Sequence, residues 1–249
     1  MRIPGLRGLR ELFPWLVRRP IYAVTRAVDL LVVGKRKYAR REGYDAAGYW
    51  RDRLGGHGLS LRGPGREGRS EAENLADYQE AREQFRRFCG DERIPLKEAA
   101  VLDIGCGTGA YAAVCRAEGA RSYVGVDITD VLFSRLRQEF PTFEFRRQDA
   151  TADQLTGTFD VVLMIDVVEH IVNERQLGVA MHNVQRCLAP SGAFVLALPS
   201  PGQWPTRLFY VRRWREGDTT RLFAGYAIGP SRPFRQGSIL ALRKPGAPE

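Results

Sequence analysis

Between residues 99 and 199 the chain gathers residue types that bind a nucleoside and move protons. The run Gly105-Cys106-Gly107-Thr108-Gly109 follows an apolar stretch at 100–104 and opens a helical pattern at 111–117. Glycines at such a bend let the backbone turn sharply and let a ligand approach where a Cβ would stand. The helix start beyond it offers unpaired N–H groups. Gly105-x-Gly107-x-x-Ala110 satisfies the dinucleotide fingerprint, and Asp127 has the spacing of a ribose-binding acid. Taken alone, the glycine run does not separate a dinucleotide from another adenosine cofactor.

Three further features separate them. Asp103 stands two positions before Gly105, where its carboxylate is expected to face the turn. There it would crowd a pyrophosphate but suit the cationic amino end of a methionine. Asp149, in Gln148-Asp149-Ala150, follows a strand at 143–147 and is placed to meet an adenine amino group. The run from Phe159 to Asp166 ends at the carboxyl edge of the sheet, beside the switch point where such sheets take ligands. Just beyond lies Glu169-His170. A histidine there, with an unperturbed pKa near 6.5, suits proton removal from an acceptor; equally, it could cap or pack the loop. Asp166, Glu169 and His170 would share a helix face at i, i+3 and i+4, but no fourth ligand is evident and no metal is expected. His57 and His182 lack comparable surroundings.

The elements that must position these residues alternate. Strands are expected at 100–104, 122–126, 143–147, 159–165 and 193–198, with helices at 111–117, 131–139 and 176–187. That order implies right-handed crossovers and a parallel sheet covered on both faces. Two softer strand candidates lie at 222–228 and 238–242. Upstream, Ser70-Glu71-Ala72-Glu73 fits a capping box for a helix running to about Cys89. Residues 42–69 are Gly- and Arg-rich and read as a long loop. Aromatic residues in the appended segments (Tyr44, Tyr49, Trp50, Trp204, Phe209, Tyr210, Trp214) suggest a lid over an aromatic or lipid-like acceptor, although aromatics more often serve core packing.

Residues 1–41 hold eleven Lys/Arg against Glu11 and Asp29, a net +9 equal to that of the whole 249-residue chain. The glycine-rich core is mildly acidic, so a nucleic-acid partner is not what the charge indicates. Ile21, Val24, Val28, Leu31 and Val32 fall on one helical face, with Gly34 ending the pattern. This extension either packs on the domain or lies at a membrane surface. Its apolar stretch is too short, and too interrupted by Arg26 and Asp29, to span a bilayer. The cysteines (Cys89, Cys106, Cys115, Cys187) form neither a zinc pattern nor a disulfide framework, which points to a cytoplasmic setting.

Over residues 99–199 the order of motifs resembles the class I S-adenosylmethionine-dependent methyltransferases. Val101 to Gly109 resembles their first motif, Gly125-Val126-Asp127-Ile128 the second, Gln148-Asp149-Ala150 the third and Asp160 to His170 the fourth. Leu188-Ala189-Pro190-Ser191-Gly192 resembles the turn before the fifth strand, with Ser191 in place of the usual glycine. The Glu-His pair also resembles that of the ubiquinone-type O-methyltransferases. The resemblance implies a Rossmann-like α/β fold, a seven-stranded sheet in the order 3-2-1-4-5-7-6 with strand 7 antiparallel. It implies that Asp103 and Gly105 hold the methionine moiety while Cys106, Gly107 and Gly109 complete the loop. Asp127 would bind the ribose, Ile128 pack on the adenine, Asp149 and Ala150 read the adenine edge, and Asp166 contribute backbone contacts near the sulfonium. Glu169 and His170 would serve catalysis on a small-molecule acceptor, at O or N. Three regions are expected: the basic extension 1–41, a cap segment 42–98 and the cofactor domain 99–249. The alternatives are an RNA methyltransferase using Arg212, Arg213, Arg215 and Arg221, a non-catalytic adenosine-binding protein, and an NAD-dependent oxidoreductase.

Overall fold

A computed structural model describes residues 32–57, 60, 63, 65, 69–199 and 208–244, so most of the basic extension and Trp204 lie outside the described residues. Gly34 does not end the N-terminal helical pattern: helix α1 spans Gly34–Tyr38, and its Lys35, Arg36 and Lys37 occupy the last turn, where the helix dipole favours cations. A two-residue ladder, β1 (Ala39–Arg40) with β2 (Gly43–Tyr44), leads into helix α2 (Ala46–His57). This helix takes up residues 46–57 of the stretch expected to be a long loop at 42–69; most of residues 58–68 lie outside the described residues. Its start signal is Asp45, whose carboxylate accepts the Gly48 N–H at 2.9 Å, as an N-cap does. Gly55 and Gly56 are tolerated because they fall near its end. Helix α3 (Glu71–Asp91) begins at the expected capping box: the Ser70 hydroxyl accepts from Glu73 N, and the Glu73 carboxylate accepts from Ser70 N at 2.8 Å.

The alternating core follows in chain order. Strand β3 (Ala100–Ile104) is buried throughout, α4 is Ala110–Ala117, β4 Ser122–Asp127, α5 Phe133–Glu139 and β5 Glu144–Arg147. Then come β6 (Phe159–Met164), a 3-10 turn at Val168–His170, α6 (Glu174–Cys187) and β7 (Leu188–Pro199). The tail supplies α7 (Glu216–Thr220), β8 (Ala227–Ile228), β9 (Arg232–Phe234) and β10 (Gly237–Arg243). The sheet runs β5-β4-β3-β6-β7-β10-β8, parallel from β5 to β7 and antiparallel at β10. This is the Rossmann-like methyltransferase order that the family resemblance implied, with β9 as an additional strand on β10.

Two local expectations are corrected. The strand expected at 222–228 shrinks to Ala227–Ile228, because Phe223 turns into the core instead and packs on Phe194 with ring centroids 5.3 Å apart. Strand β7 begins at Leu188, and the Pro190-Ser191 turn survives as a bulge: Phe159 pairs with Leu188, whereas Val161 pairs with Ala193. Two apolar cores flank the sheet, and a third, smaller one joins the N-terminal segment to the tail. Among the described residues no helix is long and apolar enough to cross a membrane.

Candidate active site

The glycine loop is held by the strand beside it. The N–H groups of Gly105 and Cys106 both donate to the Val126 carbonyl, at 2.8 and 3.1 Å. Gly105 has φ +78°, and a Cβ there would run into Val167 Cγ2, so glycine is required twice over. Asp127, at the end of β4, ties this loop to its own turn. One carboxylate oxygen accepts from Gly107 N and the other from Thr129 N, both at 3.1 Å. Burial raises the Asp127 pKa, an effect opposed by those same N–H donors.

Beyond β5, the Asp149 carboxylate accepts from the backbone and the hydroxyl of Thr151, at 2.8 and 2.7 Å. The loop that carries Asp149 is clamped by Asn183 of α6. This buried amide donates to the Ala150 and Asp153 carbonyls and accepts from Leu155 N. No local sequence pattern flags Asn183, since its partners lie some thirty residues upstream. Gln148 brings a buried side-chain oxygen without a hydrogen-bond partner to the same place.

These groups share a cavity of about 490 Å³. Of the residues expected at the site, it brings together Gly105, Cys106, Gly107, Asp127, Ile128, Asp149, Ala150, Asp166, Glu169 and His170. Asp103 and Gly109 are not on its wall. Strand alternation directs Asp103 to the same side of β3 as Val101, into the core, and not towards the turn. There its carboxylate accepts a 2.5 Å hydrogen bond from the Tyr123 hydroxyl. Burial pushes Asp103 up to about 7, against the opposing effect of that hydrogen bond. Gly109, at φ +77°, packs on Leu136 and Phe140 and shapes the loop from behind.

The far end of the cavity is aromatic. Tyr49, Leu208 and Tyr210 form the third core, packed by Tyr38, Tyr44, Trp50 and Phe209. Tyr44, Trp50 and Tyr210 also line the cavity, whereas Trp214 sits in the main core, its indole donating to the Ile171 carbonyl at 2.8 Å. His170 lies between the Trp50 and Tyr210 rings, with centroids 4.8 and 5.9 Å away. Its Nδ1 is 3.0 Å from the Tyr210 carbonyl. A carbonyl only accepts, so Nδ1 carries the proton and Nε2 is left with the lone pair. Burial drives the His170 pKa down to about 4, which keeps the ring neutral.

Glu169 is buried beside it, with Oε2 lacking any hydrogen-bond partner. Burial, and then the nearby Asp166 charge, push its pKa up. Asp166, at φ +59°, is ion-paired with Arg235, which the β9–β10 turn delivers at φ +50°. Among the described residues no group of three acids, histidines or cysteines is arranged for a metal. The residues at 168–170 form a 3-10 turn and not an α-helix, and His170 Nδ1 is already engaged. Sequence reasoning missed Arg235 and Tyr78, both on the cavity wall, because each arrives from outside the motif-bearing region. Arg212, weighed for RNA contact, pairs with Glu174 at 2.6 Å and stacks on Trp214.

Comparison with known proteins agrees with this geometry. The family model described as "Methyltransferase domain" matches residues 74–223, more than half of the chain. An uncharacterised methyltransferase-like protein of Schizosaccharomyces pombe is 27% identical over 139 residues, covering 54% of this chain and 50% of that protein. The ubiquinone biosynthesis O-methyltransferase of Pseudomonas aeruginosa is 32% identical over 113 residues, 43% of this chain and 47% of that protein. The chain thus spans about half the length of the curated relatives it matches. Magnesium protoporphyrin IX methyltransferase of Synechocystis shares the fold at 19% identity, with a TM-score of 0.62 over 80% of this chain and 95% of that one. With matching motifs, sheet order and family model, the chain belongs to the methyltransferase-domain family, the class I S-adenosylmethionine-dependent methyltransferases.

Proposed function

We propose that the cavity binds S-adenosylmethionine at its glycine-loop end and methylates an O or N atom of a small, aromatic or lipid-like acceptor held at its aromatic end. The observation that carries this reading is the continuity of the two ends: Asp127 and Asp149 share one cavity with Trp50, Tyr210 and His170. The residues present fit the cofactor. Asp127 and Asp149 offer carboxylates to hydroxyl and amino groups, Ile128 offers an apolar face, and the unpartnered Gln148 oxygen awaits a donor. Asp103 and Gly109 act from beneath the loop, as supports.

When bound, the cofactor supplies a methyl group on a sulfonium. The protein's share is alignment, which in favourable systems is worth roughly 7–11 kcal/mol. The aromatic wall excludes water, and His170 Nε2 accepts the proton that an acceptor O–H or N–H must shed. With its pKa near 4, His170 is a weak base but one that is unprotonated across the neutral range. Glu169, whose acid form is favoured by burial and by the nearby Asp166 charge, is a hydrogen-bond donor and not a second base.

Calorimetric titration with S-adenosylhomocysteine tests the cofactor clause, and saturable one-to-one binding is expected. Transfer of labelled methyl from S-adenosylmethionine to a panel of phenols and amines tests the acceptor clause. A folded protein that ignores S-adenosylhomocysteine would refute the whole reading.

A further inference from the structure

We propose that Arg235 and Glu169 together form a receiving site for a carboxylate at the junction of the two ends of the cavity. The inference rests on the methyltransferase reading of that cavity. The Arg235 side chain is only 13% exposed, yet among the described residues only its Nη1 has a side-chain partner, Asp166. The guanidinium lies 5.4 Å from the centre of the Tyr78 ring, which orients its plane without consuming a donor. Its backbone N–H is fixed separately, by Gln84 Oε1 at 2.6 Å. Nε and Nη2 therefore remain, and a guanidinium fork with unused N–H groups matches a carboxylate in geometry and charge.

Glu169 supplies the second half. Its Oε2 is buried without a partner, it lines the same cavity, and it lies within electrostatic reach of Arg235. A carboxyl held in its acid form donates to an incoming carboxylate oxygen and does not repel it. The other acid near Arg235, Asp77, is paired with Arg69 at 2.9 Å. Among the described residues Asp166 is the side chain that competes for the guanidinium, and it is 43% exposed. Both members of that ion pair have left-handed backbones, a strained arrangement that persists where function fixes it.

Two molecules could bring the carboxylate: the amino-acid end of the cofactor, or an acceptor that bears an acid group. Calorimetry on the full chain separates them with three probes: S-adenosylhomocysteine, 5′-methylthioadenosine (which lacks the amino-acid end) and benzoate in the presence of 5′-methylthioadenosine. For Arg235→Gln, a loss of about tenfold or more is expected for one carboxylate probe, with 5′-methylthioadenosine binding kept. Loss confined to S-adenosylhomocysteine assigns the site to the cofactor, and loss confined to benzoate assigns it to the acceptor. Asp166→Asn, which removes the competitor, should tighten the same probe. Retained affinity for both carboxylates in Arg235→Gln, or an equal loss of all three probes, overturns the proposal. Failure of the wild type to bind either nucleoside would instead refute the methyltransferase reading beneath it.

Discussion

The Tyr123 hydroxyl donates a 2.5 Å hydrogen bond to the Asp103 carboxylate under the glycine loop, and neither group reaches the cavity. The first acid of the motif is therefore a buried strut between β3 and β4. Asp103 titrates at about 7 in the folded protein, well above the roughly 3.9 of an unfolded aspartate. The native state then binds more protons between those values, so stability falls as pH rises through that window. At about 1.4 kcal/mol per pH unit, over about three units, the fall is on the order of 4 kcal/mol. Asp103→Asn should remove it. Urea midpoints at about pH 4 and about pH 8 check this: the difference between variant and wild type must favour the variant more at the higher pH.

His170 carries the opposite sign. Its folded pKa, about 4, lies below the ordinary value near 6.5, so its contribution to stability is present above that value and is lost as pH falls towards 4. Methyl transfer should accordingly keep its rate down to about pH 5, with no acid limb near 6.5. His170→Ala should lower kcat by about 10²–10⁴ for an acceptor that must lose a proton, while S-adenosylhomocysteine affinity is preserved. An equal loss in cofactor affinity would reduce His170 to a packing residue.

Asn183→Leu tests the clamp on the adenine-side loop. It breaks three hydrogen bonds, two of them buried and one part-buried, and leaves two carbonyls and one N–H without that partner. A destabilisation of about 2–4 kcal/mol is expected by urea unfolding. S-adenosylhomocysteine affinity should drop as well, because Asp149 and Ala150 lose their support.

Gly105→Ala combines a left-handed backbone with a clash on Val167. The variant should lose cofactor binding and about 2–4 kcal/mol of stability. Adding Val167→Ala should restore part of the stability, since it relieves the clash but not the backbone cost of about 1–2 kcal/mol. Full additivity of the two changes in thermal unfolding would count against direct contact.

The sheet was legible because β3, β4, β6 and β7 are apolar, largely buried runs and a helix follows each of β3, β4 and β6; β5 is half-exposed and reaches β6 through a loop. The placement of Asp127 and Asp149 on the cavity wall was legible because the first ends β4 and the second lies two residues beyond β5, at the carboxyl edge of the sheet. Asp103 was misdirected by proximity along the chain. Alternation along β3 puts it with Val101 and opposite Ile104, which does line the cavity. Helix α2 was hidden by its glycines, although Asp45 marks its start. Arg235 could not be found from spacing at all, since its place depends on how β9 folds against β10.

The third core joins residues 38–50 to residues 208–211, two segments that lie on either side of strands β3 to β7 in the chain. His170 is neutral because Trp50 from one segment and Tyr210 from the other enclose it. The proton affinity of that single imidazole thus records whether the two distant parts of the chain have come together. A detachment of either would let water in and restore an ordinary titration near 6.5, readable by histidine NMR without any ligand.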